Sequence, residues 1–109
     1  MPTDADFQAM RDAYAAVAPD PSHFDALGEK VSTMVNTDFV GWTDDVLRAV
    51  QSPMLVLVGD NDMIRVSDAV EAAELVPHGQ LAVLPGTTHM GMTRSPQRIL
   101  AMLVPFLDA

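Results

Sequence analysis

The chain has 109 residues, of which six are basic and fifteen are acidic, so its net charge is −9. This charge repels nucleic acid and anionic membrane surfaces, and neither is expected as a partner. The absence of cysteine excludes disulfides and thiolate metal sites. The longest apolar runs are too short to cross a bilayer, and the first residues are acidic where a signal peptide would be basic. We therefore expect one compact, cytoplasmic domain with no cofactor.

Residues 1–51 have the periodicity of helices. Two stretches place apolar side chains three or four positions apart, which predicts two amphipathic helices whose apolar faces form a core. Ser22 is the predicted N-cap of the second helix, and a shorter helix is predicted to start at Thr43 or Asp44. The apolar positions are Phe7, Met10, Tyr14 and Val17 in the first stretch, and Phe24, Leu27, Val31 and Met34 in the second.

Residues 52–109 follow a different pattern. An uninterrupted apolar run is typical of a parallel strand that is covered on both faces, and here two such runs alternate with helical segments. This order predicts a parallel β-α-β-α unit with a right-handed crossover. The predicted elements are a strand at Met54–Val58, a helix from Ser67 or Asp68 to Leu75, a strand at Leu81–Leu84, and a helix from Ser95-Pro96 towards Leu107.

Asp62 and His89 each follow the carboxyl end of a predicted strand. Loops at these ends converge on one crevice, so the two side chains are expected to lie near each other. A carboxylate that accepts a hydrogen bond from imidazole Nδ1 fixes the tautomer and stabilises the imidazolium that forms when histidine takes a proton. The alternative is turn chemistry, because Asp and Asn favour tight turns and His89 could be an ordinary loop residue.

The joint arrangement resembles the C-terminal end of the α/β-hydrolase family. The matching segments, in the family's order, are Ser52-Pro53, Met54–Val58, Gly59-Asp60-Asn61-Asp62, Pro77, Leu81–Leu84, Pro85-Gly86-Thr87-Thr88-His89, Ser95-Pro96 and Phe106-Leu107. The resemblance implies a truncated α/β-hydrolase fold, in which residues 52–109 are the C-terminal unit and residues 1–51 are lid and connecting helices. It also implies that Asp62 is the acid and His89 the general base of a Ser-Asp-His triad.

The triad serine is missing from this pattern. The family carries it in a Gly-x-Ser-x-Gly elbow ahead of the acid, and no such elbow occurs in the chain. Without the nucleophile and its oxyanion donors, hydrolysis of an ester or a related acyl or C–C bond by this chain alone is not expected. Two interpretations stay open. The chain is the acid and base part of a hydrolase that a complementing N-terminal half completes for a small-molecule substrate, or it is a non-catalytic remnant of that fold.

The same truncation predicts self-association. The strand at Met54–Val58 would lack a neighbour on one side, and an open apolar edge favours pairing, most simply in a two-fold homodimer.

Two other kinds of functional site have less support in the sequence. Phosphoryl transfer at Asp60 would need a downstream lysine, but Lys30, the only lysine, lies upstream. A metal site has no supporting ligand spacing among His23, His78 and His89.

Overall fold

The structure, a computed structural model, describes residues 1–109 and contains two compact units. A helical unit spans Pro2–Trp42, and an α/β unit spans Thr43–Ala109 and includes Met1. The contacts thus divide the chain earlier than the change of sequence pattern at residue 52. None of the helices combines the length and the apolar character that crossing a membrane requires.

The helical unit is built on α1 (Asp4–Val17) and α2 (Phe24–Thr33). A capping box starts α1: the Thr3 hydroxyl accepts from the Asp6 backbone N–H at 3.2 Å, and the Asp6 carboxylate accepts from the Thr3 N–H at 2.8 Å. These bonds satisfy backbone donors that the first turn leaves unpaired. A single π-helical turn, Met34–Asp38, follows α2.

The predicted N-cap at Ser22 is wrong. A short 3₁₀ turn, Pro21–His23, precedes α2, and its N-cap is Asp20. The Asp20 carboxylate accepts from both the N–H and the hydroxyl of Ser22, at 3.0 and 2.6 Å. An ionised aspartate two residues ahead of a backbone N–H forms this turn readily, and the turn places Ser22 inside the 3₁₀ segment and not at the residue before α2.

The apolar faces of α1 and α2 do not form a closed core. Tyr14 and Phe24 pack edge to face, with ring centroids 5.6 Å apart. Phe7 is 50% exposed, however, and Val17 is 84% exposed. Two helices touch along one side only, so their remaining apolar surface lines an open groove of about 480 Å³. The prediction of a core was therefore wrong for most of this face.

The α/β unit contains the predicted strands and helices together with one short helix that was not predicted. Strand β1 pairs with β2 in parallel, with register from Met54↔Gly79 to Gly59↔Leu84, which confirms the parallel unit. The elements are α3 (Asp44–Arg48), β1 (Met54–Gly59), α4 (Val66–Leu75), β2 (Gly79–Leu84), α5 (His89–Thr93) and α6 (Pro96–Leu107).

One helix start differs from the prediction. Helix α4 begins at Val66 after Arg65, so neither Ser67 nor Asp68 is its cap. Arg65 instead forms a bidentate ion pair with Asp68 across the first turn, at 2.9 and 3.0 Å. The predicted start of α6 is confirmed, with Ser95 at the N-cap position and Pro96 as the first helical residue. The Ser95 hydroxyl donates to the Gly91 carbonyl at 3.1 Å and forms no capping hydrogen bond.

The core of the α/β unit lies between the sheet and α4. One face of α4 meets one face of the two strands there, as in any sheet that is covered by a crossover helix. Its buried apolar residues are Val58, Ala69, Ala73, Val76 and Leu84. This layer fixes the carboxyl ends of both strands, from which the candidate site is built.

Candidate functional site

Asp62 lies in the turn that follows β1, and its carboxylate is held from three directions. Oδ1 accepts from the Ile64 backbone N–H at 3.0 Å, and Oδ2 accepts from the Gly59 N–H at 3.4 Å. The third partner is the His89 ring. The Asp62 side chain is 2% exposed. Backbone donors therefore fix the orientation of this buried carboxylate from within its own turn.

The environment of Asp62 favours its ionised form. Burial acts to raise the pKa of the carboxyl group, because a charge loses hydration there. The N–H groups of Ile64 and Gly59, with a further contribution from His89, outweigh burial and hold the pKa below its ordinary value. Asp62 is therefore a carboxylate at neutral pH.

His89 is the first residue of α5 and follows the loop that leaves β2. Its Nδ1 lies 3.0 Å from Asp62 Oδ1, within hydrogen-bond distance. The His89 side chain is 48% exposed. The structure thus brings the two sequence-predicted residues together, with Nδ1 on the carboxylate and about half of the imidazole side chain in contact with solvent.

This pair has the geometry of an acid and base dyad. When the carboxylate accepts the Nδ1 proton, neutral imidazole presents an unprotonated Nε2, which is the atom that can take a proton from a nucleophile. The structure contains no group of three His, Asp or Glu side chains that could bind one metal ion. The chemistry that these two residues offer is proton transfer at Nε2.

The loop that carries His89 is held by residues whose function the sequence did not reveal. Thr87 is 3% exposed, and its N–H donates to Asp60 Oδ1 at 3.1 Å. Arg98 of α6 donates to Thr87 Oγ1 at 3.0 Å and to the Pro85 carbonyl at 2.9 Å. Arg98 is the only charged residue of α6, and this isolated charge was a signal that could have been followed. Thr87 gave no such signal.

Asp60 and His78 lie outside the pair. The N–H groups of Gly86 and Thr87 lower the pKa of the Asp60 carboxyl group, which therefore serves the β2 loop and not the imidazole. His78 directly precedes β2 and His89 follows it, so the length of the strand separates them. Neither residue contributes to the chemistry of Nε2.

An apolar hollow of about 250 Å³ lies beside the pair in the α/β unit. Its polar lining comes from Asp62, Asp68 and His89. The remaining lining residues are Val56, Leu57, Val58, Ile64, Ala69, Ala72 and Met92. The hollow places apolar surface next to the dyad.

Comparison with known proteins identifies one distant relative. The chain is 35% identical over 83 residues to a non-heme haloperoxidase of Rhodococcus erythropolis, and the match covers 74% of this chain. It spans 29% of the length of that relative. Non-heme haloperoxidases are α/β-hydrolase-fold proteins, so the similarity points to this superfamily. No family model matches the chain, and no solved structure does.

Proposed function

We propose that Asp62 and His89 are the acid and the general base of a Ser-Asp-His hydrolase site whose serine lies in another segment. That segment is an N-terminal half, on the same or on a separate polypeptide, and it also supplies the oxyanion donors. The reaction is hydrolysis of an ester or a related acyl or C–C bond in a small molecule. Without that half, the 109 residues are inactive.

The contact between His89 Nδ1 and Asp62 Oδ1, 3.0 Å long, carries this proposal. A hydrogen bond at Nδ1 selects the tautomer in which Nε2 is the base, and a buried, ionised partner stabilises the imidazolium that follows. The distant similarity to a haloperoxidase of the α/β-hydrolase superfamily supports the same reaction class. The missing Gly-x-Ser-x-Gly elbow supports the requirement for a second segment.

Complementation with a serine-bearing segment tests the proposal. In the Rhodococcus haloperoxidase, the segment that aligns with this chain is replaced by this chain, so that the N-terminal part of the haloperoxidase precedes it. Hydrolysis of p-nitrophenyl esters by this fusion is then measured. We expect turnover, and we expect His89→Ala or Asp62→Asn to lower kcat by about 10²- to 10⁴-fold. His78→Ala, which removes an exposed imidazole at the other end of β2, is the matched control and should leave kcat unchanged. A folded, active fusion that tolerates His89→Ala would refute the assignment of the base.

The isolated chain provides the companion measurement. Purified residues 1–109 should hydrolyse p-nitrophenyl esters no faster than a His89→Ala variant at equal concentration. Turnover by the isolated chain that disappears in the variant would show that the serine-bearing segment is not required.

The alternative, a non-catalytic module that self-associates, has one observation in its favour. The backbone N–H groups of Met54 and Asp60 donate towards β2. Because this direction alternates along a strand, the backbone N–H groups of Leu55 and Leu57 point to the opposite edge of β1, where no other strand pairs. Leu57 also lines two apolar hollows, of about 410 and 250 Å³. This interpretation expects a two-fold homodimer, and light scattering that shows a folded monomer at micromolar concentration would contradict it.

A further inference from the structure

Thr87 is the most completely bonded residue of the loop between β2 and α5. Its N–H donates to Asp60 Oδ1 at 3.1 Å, and its carbonyl accepts from the Asn61 N–H at 3.1 Å. Its hydroxyl donates to the Pro85 carbonyl at 2.9 Å and accepts from Arg98 at 3.0 Å. Every polar group of this buried residue is therefore engaged, and its partners belong to three different segments of the α/β unit.

The backbone at Thr87 is also held by shape. A Cβ atom added to Gly59 at the end of β1 would overlap the Thr87 carbonyl oxygen. Gly86 adopts φ +58°, a left-handed conformation that glycine accepts without strain. The loop can therefore lie directly over the end of β1, two residues before His89.

Arg98 closes this arrangement from the side of α6. Its guanidinium reaches Thr87 Oγ1 and the Pro85 carbonyl with two different nitrogens, at 3.0 and 2.9 Å. A planar guanidinium presents its donors in fixed directions, which defines the relative position of two acceptors more closely than the rotatable donors of a lysine ammonium do. One side chain thus ties the loop to α6 while Asp60 ties it to the β1 turn.

We propose that Arg98 and Asp60 are positioning residues that clamp Thr87 and thereby keep His89 Nδ1 on Asp62. The inference rests on the proposed function, because it assigns these residues a role in maintaining the tautomer that makes Nε2 the base. Asp62 follows β1 and His89 follows β2, so their contact depends on the path of the loop between β2 and α5. Without the clamp, rotation of the loop separates Nδ1 from the carboxylate.

The tautomer of His89 is the quantity to measure. Long-range ¹H–¹⁵N correlation spectra of the ¹⁵N-labelled chain, at alkaline pH where imidazole rings are neutral, distinguish Nδ1–H from Nε2–H. We expect His89 to be mainly Nδ1–H in the unmodified chain. His23 and His78, both exposed, should show the Nε2–H form that free histidine prefers, and they act as internal references in the same spectrum.

Removal of the clamp should shift this equilibrium. Arg98→Ala and Thr87→Val should each lower the ratio of Nδ1–H to Nε2–H at His89 by about tenfold, the effect expected for loss of a charge-assisted hydrogen bond. Asp60→Asn should produce a smaller fall, because the amide oxygen can still accept from Thr87. Thr87→Ser keeps the hydroxyl and should restore the original ratio. Arg48→Ala, which removes the same charge from α3, is the matched control and should have no effect.

The outcomes separate this inference from the proposed function. If His89 is Nδ1–H in the unmodified chain and stays so in folded Arg98→Ala and Thr87→Val chains, the clamp is only structural and the positioning role is overturned alone. If His89 is mainly Nε2–H already in the unmodified chain, the dyad itself fails and both proposals are overturned. Should Arg98→Ala unfold the chain, Thr87→Val replaces it, because it removes the hydroxyl that Arg98 binds and leaves the charge of Arg98 in place. An unchanged ratio in the folded Thr87→Val chain then refutes the role.

Discussion

The helical unit and the α/β unit both contain many large apolar side chains but bury them very differently. All five buried apolar residues lie in the α/β unit. The helical unit buries only Asp6, and its apolar residues line an open groove. Both units have well-formed helices, so helix formation does not explain the difference.

The difference lies in the number of layers that each unit can close. A parallel strand pair presents two faces with fixed spacing, and α4 packs against both strands. Two helices joined by a short turn share one contact line and leave the flanking apolar positions open to solvent. Backbone pairing between distant segments, which the α/β unit has and the helical unit lacks, is what creates a closed core.

Truncation of one leucine in each unit tests this explanation most strongly. Leu84 is 2% exposed and Leu27 is 41% exposed. Leu84→Ala leaves a cavity in a packed layer, so we expect it to lower the free energy of unfolding by about 2–5 kcal/mol. Leu27→Ala removes a side chain that is already partly hydrated and should cost at most about 1 kcal/mol.

Urea unfolding of both variants provides this measurement, followed by far-UV circular dichroism and by the fluorescence of Trp42, the single tryptophan. Equal losses for the two substitutions would show that the groove of the helical unit is closed in solution, by a second copy or by another segment. If a second copy closes the groove, the loss at Leu27 should decrease on dilution, whereas closure by another segment of the same chain is independent of concentration.

A pair of glycines provides a second test, with opposite signs expected in the two units. A Cβ at Gly59 would overlap the Thr87 carbonyl oxygen, whereas a Cβ at Gly28 in α2 has no neighbour within 4 Å. Gly59→Ala should lower the free energy of unfolding by more than about 2 kcal/mol, because backbone must move. Gly28→Ala should raise it by about 0.5–1 kcal/mol through helix propensity. A neutral Gly59→Ala would mean that the loop does not lie on β1.

Much of this comparison could be predicted from local sequence. The run Met54–Val58 and the start at Thr43 identified a strand and a helix because the signals reside in neighbouring residues. The proximity of Asp62 and His89 was predictable because parallel strand ends share one edge. Their catalytic role stays a prediction, as do the domain division at residue 52 and the right-handed crossover.

The remaining features depend on contacts between distant residues. In the clamp, Asp60 lies 27 residues before Thr87 and Arg98 lies 11 residues after it. No periodicity in the sequence indicates such a pairing. Exposure of the α1 and α2 faces also depends on what covers them, which an amphipathic pattern does not specify. The short helix α5 had one local signal, the N-cap residue Thr88, whose hydroxyl accepts from the Gly91 N–H at 2.9 Å. The low helix propensities of His89 and Gly91 argued against a helix at this position.

Acid unfolding gives the smallest and most selective test of the comparison. The α/β unit holds Asp62 at 2% exposure, and the helical unit holds Asp25 at 74% exposure against Arg11, 2.8 Å away. The pKa of Asp25 is lowered by the Arg11 hydrogen bond and charge, and the pKa of Asp62 is lowered, against burial, by backbone N–H groups and His89. Each therefore stabilises the fold above the ordinary aspartate pKa of about 3.9, and this stabilisation is lost as the pH falls through the lower folded value.

The two carboxylates should differ in their response to salt. Asp62→Asn should flatten the rise of unfolding free energy with pH below about pH 4 at both low and high ionic strength, because its partners are fixed and shielded from ions. The change caused by Asp25→Asn should be visible at about 0.05 M salt and should disappear near 1 M, since an exposed pair is screened. Parallel urea titrations at several pH values measure both. If salt abolishes the effect of Asp62→Asn as well, the Asp62 carboxylate is hydrated. The buried carboxylate of the α/β unit would then behave like the exposed carboxylate of the helical unit, at the residue on which the proposed chemistry depends.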